Sequence, residues 1–269
     1  MESAERVSVA DAARAALDAL RGGEPVVAAV MLDGAGSELG RRMLIWRERC
    51  AGTLGDAVLN AAASDAASAL LAGDAKAGPV RVEDGRTFYL EMHHAPPELV
   101  IVGAGHIARP LCRVGAMLGF RVLVLDDRPE FATRDRFPEA EEVRRADFSD
   151  PFRGISIGPR THLVLVTRGH KYDYEALREL LLSSTRPAYV GMIGSRRRVR
   201  AALEQLSREE IPRERLEAIH APVGLDIGAE TPEEIAVAIA AELVRVRRGG
   251  TGVPLRDHER VLDRWIAPR

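Results

Sequence analysis

The sequence predicts an α/β protein in which a C-terminal parallel-sheet domain, residues 96–269, follows a smaller N-terminal α+β domain, residues 1–95. Three observations predict it. Leu99-Val-Ile-Val-Gly103-Ala-Gly105-His106-Ile-Ala108 runs from an apolar strand-like segment through a glycine turn into a helical periodicity, and Arg121-Val-Leu-Val-Leu-Asp126 closes the unit on an acid. From there on, apolar runs alternate with helical patterns, as a parallel sheet requires. Between the halves, His93-His94-Ala-Pro96-Pro97 breaks both helix and central strand, because proline lacks the N–H that either would use.

Taken in order, Ser8-Val-Ala-Asp11 reads as a capping box opening a helix that ends at Arg21-Gly22-Gly23. Strands are expected over 25–31, 43–46 and 86–92, with a turn at Asp33-Gly34-Ala-Gly36-Ser and an alanine-rich helix from Asp56 to Leu71. In the second half, strands fit 99–103, 121–125, 162–167 and 188–193, and helices fit 105–118, 173–184, 196–207 and 232–247. The last helix carries a full start signal, with Thr231 as cap, Pro232 in the first turn and Glu234 three residues on. It stops at Arg247-Arg248-Gly249-Gly250. In the tail after Thr251, Leu262 and Trp265 offer something to bury.

The glycine segment has the Gly-x-Gly-x-x-Ala form of the dinucleotide fingerprint, so the C-terminal domain is expected to be Rossmann-like. Gly103 permits a tight turn out of the strand. Gly105 lets a phosphate group approach backbone N–H groups at a helix N-terminus, and small Ala108 lets that helix pack on the sheet. Asp126, 23 positions after Gly103, lies near the spacing of roughly 20 for an acid that holds a ribose hydroxyl. It favours NAD over NADP, although Arg128 nearby blurs that choice. His106 either donates to an anionic ligand or points to solvent.

Three further constellations stand out, the first two at the ends of apolar strands. In Thr167-Arg168-Gly169-His170-Lys171-Tyr172-Asp173, Asp173 reads as a helix N-cap and His170 as a candidate ligand contact. In Val190-Gly191-Met-Ile-Gly194-Ser195-Arg196-Arg197-Arg198, Ser195 caps a helix whose first turn is basic. Cations there oppose the helix dipole, so Arg196 and Arg197 read either as a solvated face or as the holders of an anion. In His220-Ala-Pro222-Val-Gly224-Leu-Asp226-Ile-Gly228-Ala-Glu230, the glycines shape a loop in which Asp226 and Glu230 could orient partners.

Composition excludes several classes. A formal charge of −2 gives no reason to expect nucleic acid or an acidic membrane as partner. No apolar run approaches the roughly 18–20 residues of a membrane span. No zinc spacing, nucleophile elbow or P-loop lysine motif is present, so no metal site is expected. The N-terminus lacks a signal-peptide core, and Cys50 and Cys112 do not make a disulfide framework, which points to the cytoplasm. Cys112 falls on the apolar stretch after the glycine turn and reads as a buried small hydrophobe.

From about Pro25 to Leu255 the chain resembles the XdhC/CoxI family of xanthine dehydrogenase accessory proteins. The resemblance is carried by Val102-Gly-Ala-Gly-His106, Asp126-Asp-Arg128-Pro129-Glu-Phe131-Ala, Tyr189-Val-Gly-Met-Ile-Gly-Ser195-Arg196 and Ala221-Pro-Val-Gly-Leu-Asp-Ile-Gly-Ala-Glu-Thr-Pro-Glu-Glu234. It implies an XdhC/CoxI-type N-terminal domain, a Rossmann-like domain, and a chaperone that binds molybdenum cofactor (molybdopterin) and passes it, sulfurated, to a molybdenum hydroxylase apoenzyme. It also implies a homodimer and a cysteine desulfurase partner. One segment departs from the family. Where members carry a Gly-Gly-Gly-Cys-Val-Glu type run, this chain has Gly52-Thr-Leu-Gly55-Asp56-Ala57-Val58-Leu59-Asn60, with neither the cysteine nor the glutamate. If that cysteine handles molybdenum or sulfur, this chain does so differently. Two other readings stand beside the carrier: an NAD(P)-dependent oxidoreductase using Gly103, Gly105 and Asp126, for which no hydride-transfer partners are evident, and a non-catalytic nucleotide-binding paralogue.

Overall fold

A computed structural model of the chain describes residues 6–34, 38–73 and 75–258. The chain divides into two compact units, Met1–Pro96 and Pro97–Arg269. The first unit contains α1 (Val9–Leu20), β1 (Val26–Met31), β2 (Arg42–Ile45), β3 (Cys50–Gly52), α2 (Ala57–Ala72), β4 (Gly78–Arg81) and β5 (Thr87–His93). Its five strands form an antiparallel sheet in the order β3-β2-β1-β5-β4. Alternation along β1 covers both faces: Val27, Ala29 and Met31 pack with Leu59, Ala63, Ala67 and Leu70 of α2, whereas Val26 and Ala28 pack with Ala12, Ala15 and Ala19 of α1. The Ser8–Asp11 capping box is present, and Asp56 caps α2 by accepting from the Leu59 N–H at 2.9 Å. β3 and β4 were not legible in the sequence; they are three and four residues long and lie at the sheet edges.

The second unit runs β6 (Glu98–Val102), α3 (Ala108–Met117), β7 (Arg121–Asp126), β8 (Glu142–Arg145), β9 (Thr161–Leu165), α4 (His170–Leu182), β10 (Tyr189–Met192), α5 (Arg196–Leu206), α6 (Arg213–Glu217), β11 (Ile219–His220), α7 (Pro232–Arg248) and α8 (Leu255–His258). All six strands are parallel, in the order β11-β10-β9-β6-β7-β8. Counted within the unit this is the doubly wound order 3-2-1-4-5-6, with the chain reversing direction across the sheet between β6 and β9. Ligands of such sheets bind outside the carboxyl ends of the strands at that reversal.

β6 is buried on both faces, which is why it reads as an unbroken apolar run. Leu99 and Ile101 meet α3 and α7 residues, among them Leu111, Ile239 and Leu243. Val100 and Val102 meet Leu177, Leu180 and Val199 from α4 and α5. A Cβ on Gly115 of α3 would stand 2.6 Å from the Leu99 side chain, so the close approach of α3 to the sheet depends on Gly115 as well as on buried Ala108. The connection from β8 to β9 carries no helix; Phe148 and Phe152 on it fill the α4–α5 side of the sheet instead.

Several expectations need correcting. The helix expected from Asp173 begins at His170 and is capped by Gly169 without a side-chain bond, so Asp173 is not its N-cap. Asp173 lies wholly buried in the first turn, where it accepts from Thr167 Oγ1 at 2.5 Å and pairs with Arg198. A buried cation nearby outweighs the general preference of aspartate for the cap. β8 and β11 were missed because one is Glu-Val-Arg-Arg and the other is two residues long. Leu262 and Trp265, and the middle of the turn at residues 35–37, lie outside the described residues.

Candidate functional site

The carboxyl edge of the parallel sheet collects all of the sequence-predicted site residues. Gly103 follows β6 with φ +106°, a conformation that side-chain-bearing residues rarely adopt. A Cβ there would lie 2.7 Å from the Val166 carbonyl oxygen, so the turn passes directly against the end of β9. Gly105 is different: a Cβ on it meets nothing within 4 Å, so its small size is not required by any neighbour in the protein. It opens onto the start of α3, where Ile107 occupies the cap position and supplies no side-chain bond. The first-turn N–H groups of Ala108 and Arg109 (Pro110 has none) are therefore left without a side-chain cap. His106 is exposed in the turn and makes no side-chain hydrogen bond among the described residues, while Ala108 is buried as expected.

Asp126 is placed differently from the sequence expectation. Its side chain is only 1% exposed and takes hydrogen bonds from the Ala104 N–H (2.7 Å), the Arg128 N–H (3.0 Å) and the Arg128 guanidinium (2.8 and 2.9 Å). Burial acts to raise its pKa, but the Arg128 guanidinium and the Ala104 and Arg128 N–H groups outweigh it, so the carboxyl sits below its ordinary value. The acid thus fastens the glycine turn to the end of β7. Contact with a ribose hydroxyl would require displacing Arg128. Arg136 reaches the same turn, donating to the Ala104 carbonyl at 3.3 Å.

On the other side of the reversal, Ser195 caps α5 by accepting from the Arg198 N–H at 3.3 Å. Arg198 turns inward to Asp173 and the Thr167 carbonyl. Arg196 and Arg197 are exposed and make no ion pair among the described residues. Their helix starts beside β10, two strands from β6, which is about 10 Å at ordinary strand spacing. His170 opens α4 at the same edge; its side chain lies outside the described residues. Sequence reasoning missed the inward role of Arg198, although the signal was present. Val199, Ala202 and Leu206 form the buried face of α5, and Arg198 lies on that face at i+4 from Ala202.

Arginines in a first turn cost about 0.3–1 kcal/mol each when exposed, which a nearby anion reverses. Replacing Arg196 and Arg197 with Gln is therefore expected to leave the melting temperature without ligand equal or higher. It should weaken binding of a phosphate-bearing ligand and make that binding less salt-sensitive. Calorimetry at two ionic strengths beside a thermal melt checks this; lower stability with unchanged affinity would assign these arginines to packing.

A second polar cluster fixes the loop after β11. Glu242 of α7, nearly buried, accepts from Tyr189 Oη (2.7 Å) and the Gly224 N–H (2.8 Å), and meets His220 Nδ1 at 3.1 Å. Tyr189 and His220 stack with ring centroids 4.5 Å apart. Asp226 and Glu230 are exposed on that loop. In the first unit, the segment that departs from the family is built from its own polar groups: Asn60 Oδ1 accepts from the Leu54 N–H at 2.8 Å, and Asp56 pairs with Arg86 at 2.7 Å. Cys50 is exposed on β3, whereas Cys112 is buried and burial pushes its thiol up to about 12. Among the described residues no three His, Cys, Asp or Glu side chains gather into a metal-binding group. No described helix is long and apolar enough to cross a membrane.

The family model for the XdhC Rossmann domain matches residues 99–243. The chain belongs to the XdhC family. Its strand order, its glycine turn and the Glu242-anchored loop all fall within the matched span. Among curated proteins this XdhC-family chain is 34% identical to uncharacterized protein YqeB of Escherichia coli (strain K12) over 165 residues, which are 61% of the chain and 30% of that protein. It is 32% identical to a probable xanthine dehydrogenase subunit of Bacillus subtilis (strain 168) over 160 residues, 60% of the chain and 46% of that protein. The match thus spans less than half the length of either relative. A solved structure of a xanthine dehydrogenase from Bacillus halodurans superposes with a TM-score of 0.54 over 90% of the chain and 98% of its own, at 20% identity, a likeness of fold.

Proposed function

We propose that this XdhC-family chain is an accessory protein of a xanthine dehydrogenase-type molybdenum hydroxylase, binding molybdenum cofactor as cargo and delivering it to the apoenzyme. The observation that carries the reading is the start of α3: a helix N-terminus with no side-chain cap, opened by a glycine that nothing in the protein requires to be small. That arrangement suits the phosphate of the pterin, which would accept from the first-turn N–H groups and lie along the favourable end of the helix dipole. Arg196 and Arg197 would answer the remaining negative charge. The family match and the relative named as a probable xanthine dehydrogenase subunit supply the client class.

Sulfur handling falls to a partner in this reading. A thiol raised to about 12 is protonated at neutral pH and is a poor nucleophile, so Cys112 does not carry sulfur. A cysteine desulfurase would act on the bound cofactor, with the protein as a homodimer in the cytoplasm. The doubly wound strand order favours an NAD(P)-binding oxidoreductase as the second reading. Mass spectrometry of the ligand co-purified from a molybdenum-replete host, with reconstitution of cofactor-free xanthine dehydrogenase, separates the two. Molybdopterin and restored dehydrogenase activity are expected; a nicotinamide dinucleotide with no reconstitution would refute the carrier.

A further inference from the structure

Of the two acids at the end of β7, buried Asp126 has no acceptor capacity left for a ligand hydroxyl, and Asp127 has about half of its own taken by Arg168. A carboxylate offers about four lone-pair sites. On Asp126 the hydrogen bonds from Ala104 and Arg128 already number four. Asp127 gives one oxygen to each terminal nitrogen of Arg168, at 3.0 and 2.8 Å. Donors remain at this place. Arg128 uses its Nε and one terminal nitrogen on Asp126, leaving the other terminal nitrogen without a protein acceptor among the described residues, and Arg168 leaves its Nε in the same state. Both guanidinium groups are partly exposed, at 26% and 39%. Arg128 is held over the Phe131 ring at 3.6 Å, and Arg136 lies 4.7 Å from the centre of the same ring.

A free ribose diol needs acceptors opposite it, whereas phosphate oxygens only accept. We infer that the end of β7 selects a second anionic group on the ligand, so that the crevice prefers a nucleotide carrying a 2′-phosphate over its free-diol counterpart. The inference rests on the proposed reading that the start of α3 holds the first phosphate. It reverses the sequence expectation that Asp126 favours a free hydroxyl: the same carboxylate that would hold the diol is bound by Arg128, and the planar fork of arginine matches phosphate geometry. Arg128, Arg136 and Arg168 bring three cations to this end of the sheet, and Arg168 can turn its uncommitted Nε to a phosphate while it keeps its pairing with Asp127.

The test titrates the full chain with adenosine 5′-monophosphate and with adenosine 2′,5′-bisphosphate. The bisphosphate is expected to bind at least about tenfold tighter, the scale of one hydrogen bond to a charged group, and its advantage shrinks as salt is added. Arg168→Gln, at an exposed position, should remove most of the advantage and leave the monophosphate affinity nearly unchanged. Arg128→Lys keeps a cation beside Asp126 and should reduce the advantage without unfolding the chain, as a thermal melt confirms. Equal affinity for the two nucleotides, with both lost in Gly105→Val, would overturn the inference and leave the phosphate site at α3 standing. Binding of neither nucleotide would also overturn the inference, and molybdopterin titrated into the same chain and into Gly105→Val then shows whether the phosphate site at α3 stands.

Discussion

Replacing Glu242 with Ala is expected to destabilise the second unit by about 3–5 kcal/mol at neutral pH, the scale of removing one partner from a buried charged network. The carboxylate is 7% exposed and satisfies the Gly224 N–H, Tyr189 Oη and His220 Nδ1. Its loss leaves those groups unpaired where water does not easily replace it. Burial acts to raise the Glu242 pKa, but the Gly224 N–H, Tyr189 and His220 outweigh it and hold the carboxyl below its ordinary value. A carboxyl lowered on folding contributes stability that is fully present above its unfolded pKa and lost as pH falls through the folded one. The gap between the unaltered chain and Glu242→Ala should therefore be full near neutrality and narrow only in acid. Chemical denaturation across that range checks it, and a gap that stays undiminished down to strong acid would contradict the assignment.

Asp126→Ala should lower stability by about 2–4 kcal/mol, because it strands the Arg128 guanidinium and the Ala104 N–H at the end of β7. The same pH logic holds, since the folded Asp126 carboxyl also sits below its ordinary value. The glycine turn would lose its tie to β7, so phosphate binding should weaken as an indirect effect. Asp126→Asn keeps part of the acceptor capacity and should recover part of both losses. If Asp126→Ala melts with the unaltered chain and loses only affinity, the acid contacts ligand directly and its tie to the turn is dispensable.

The doubly wound domain was legible because its central strands, β6, β7 and β9, are buried on both faces and read as apolar runs, and because Thr231 and Glu234 mark the start of α7 without ambiguity. The short edge strands were not, since an edge strand needs few apolar residues and β8 has one. The open backbone at Gly105 was readable from its place in the motif. Asp126 was readable as a strand-end acid but not as an occupied one, because its saturation depends on the path of the chain through Ala104 and on the rotamer of Arg128. Successive residues on a helix point about 100° apart, so three arginines in a row cannot share a role. Arg198 turns in to buried Asp173, and Arg196 and Arg197 stay in solvent.

Gly105→Val decides whether the opening at the start of α3 is a ligand site. A valine there meets no protein atom at its Cβ, so the variant should melt with the unaltered chain. Its branched side chain would stand where a phosphate must approach the first-turn N–H groups. Titrated with molybdopterin in parallel, the unaltered chain should bind and Gly105→Val should lose at least about 100-fold in affinity, or about 2.7 kcal/mol. Equal affinity in two chains of equal stability would contradict the account, because the cofactor would then be held somewhere other than the glycine turn.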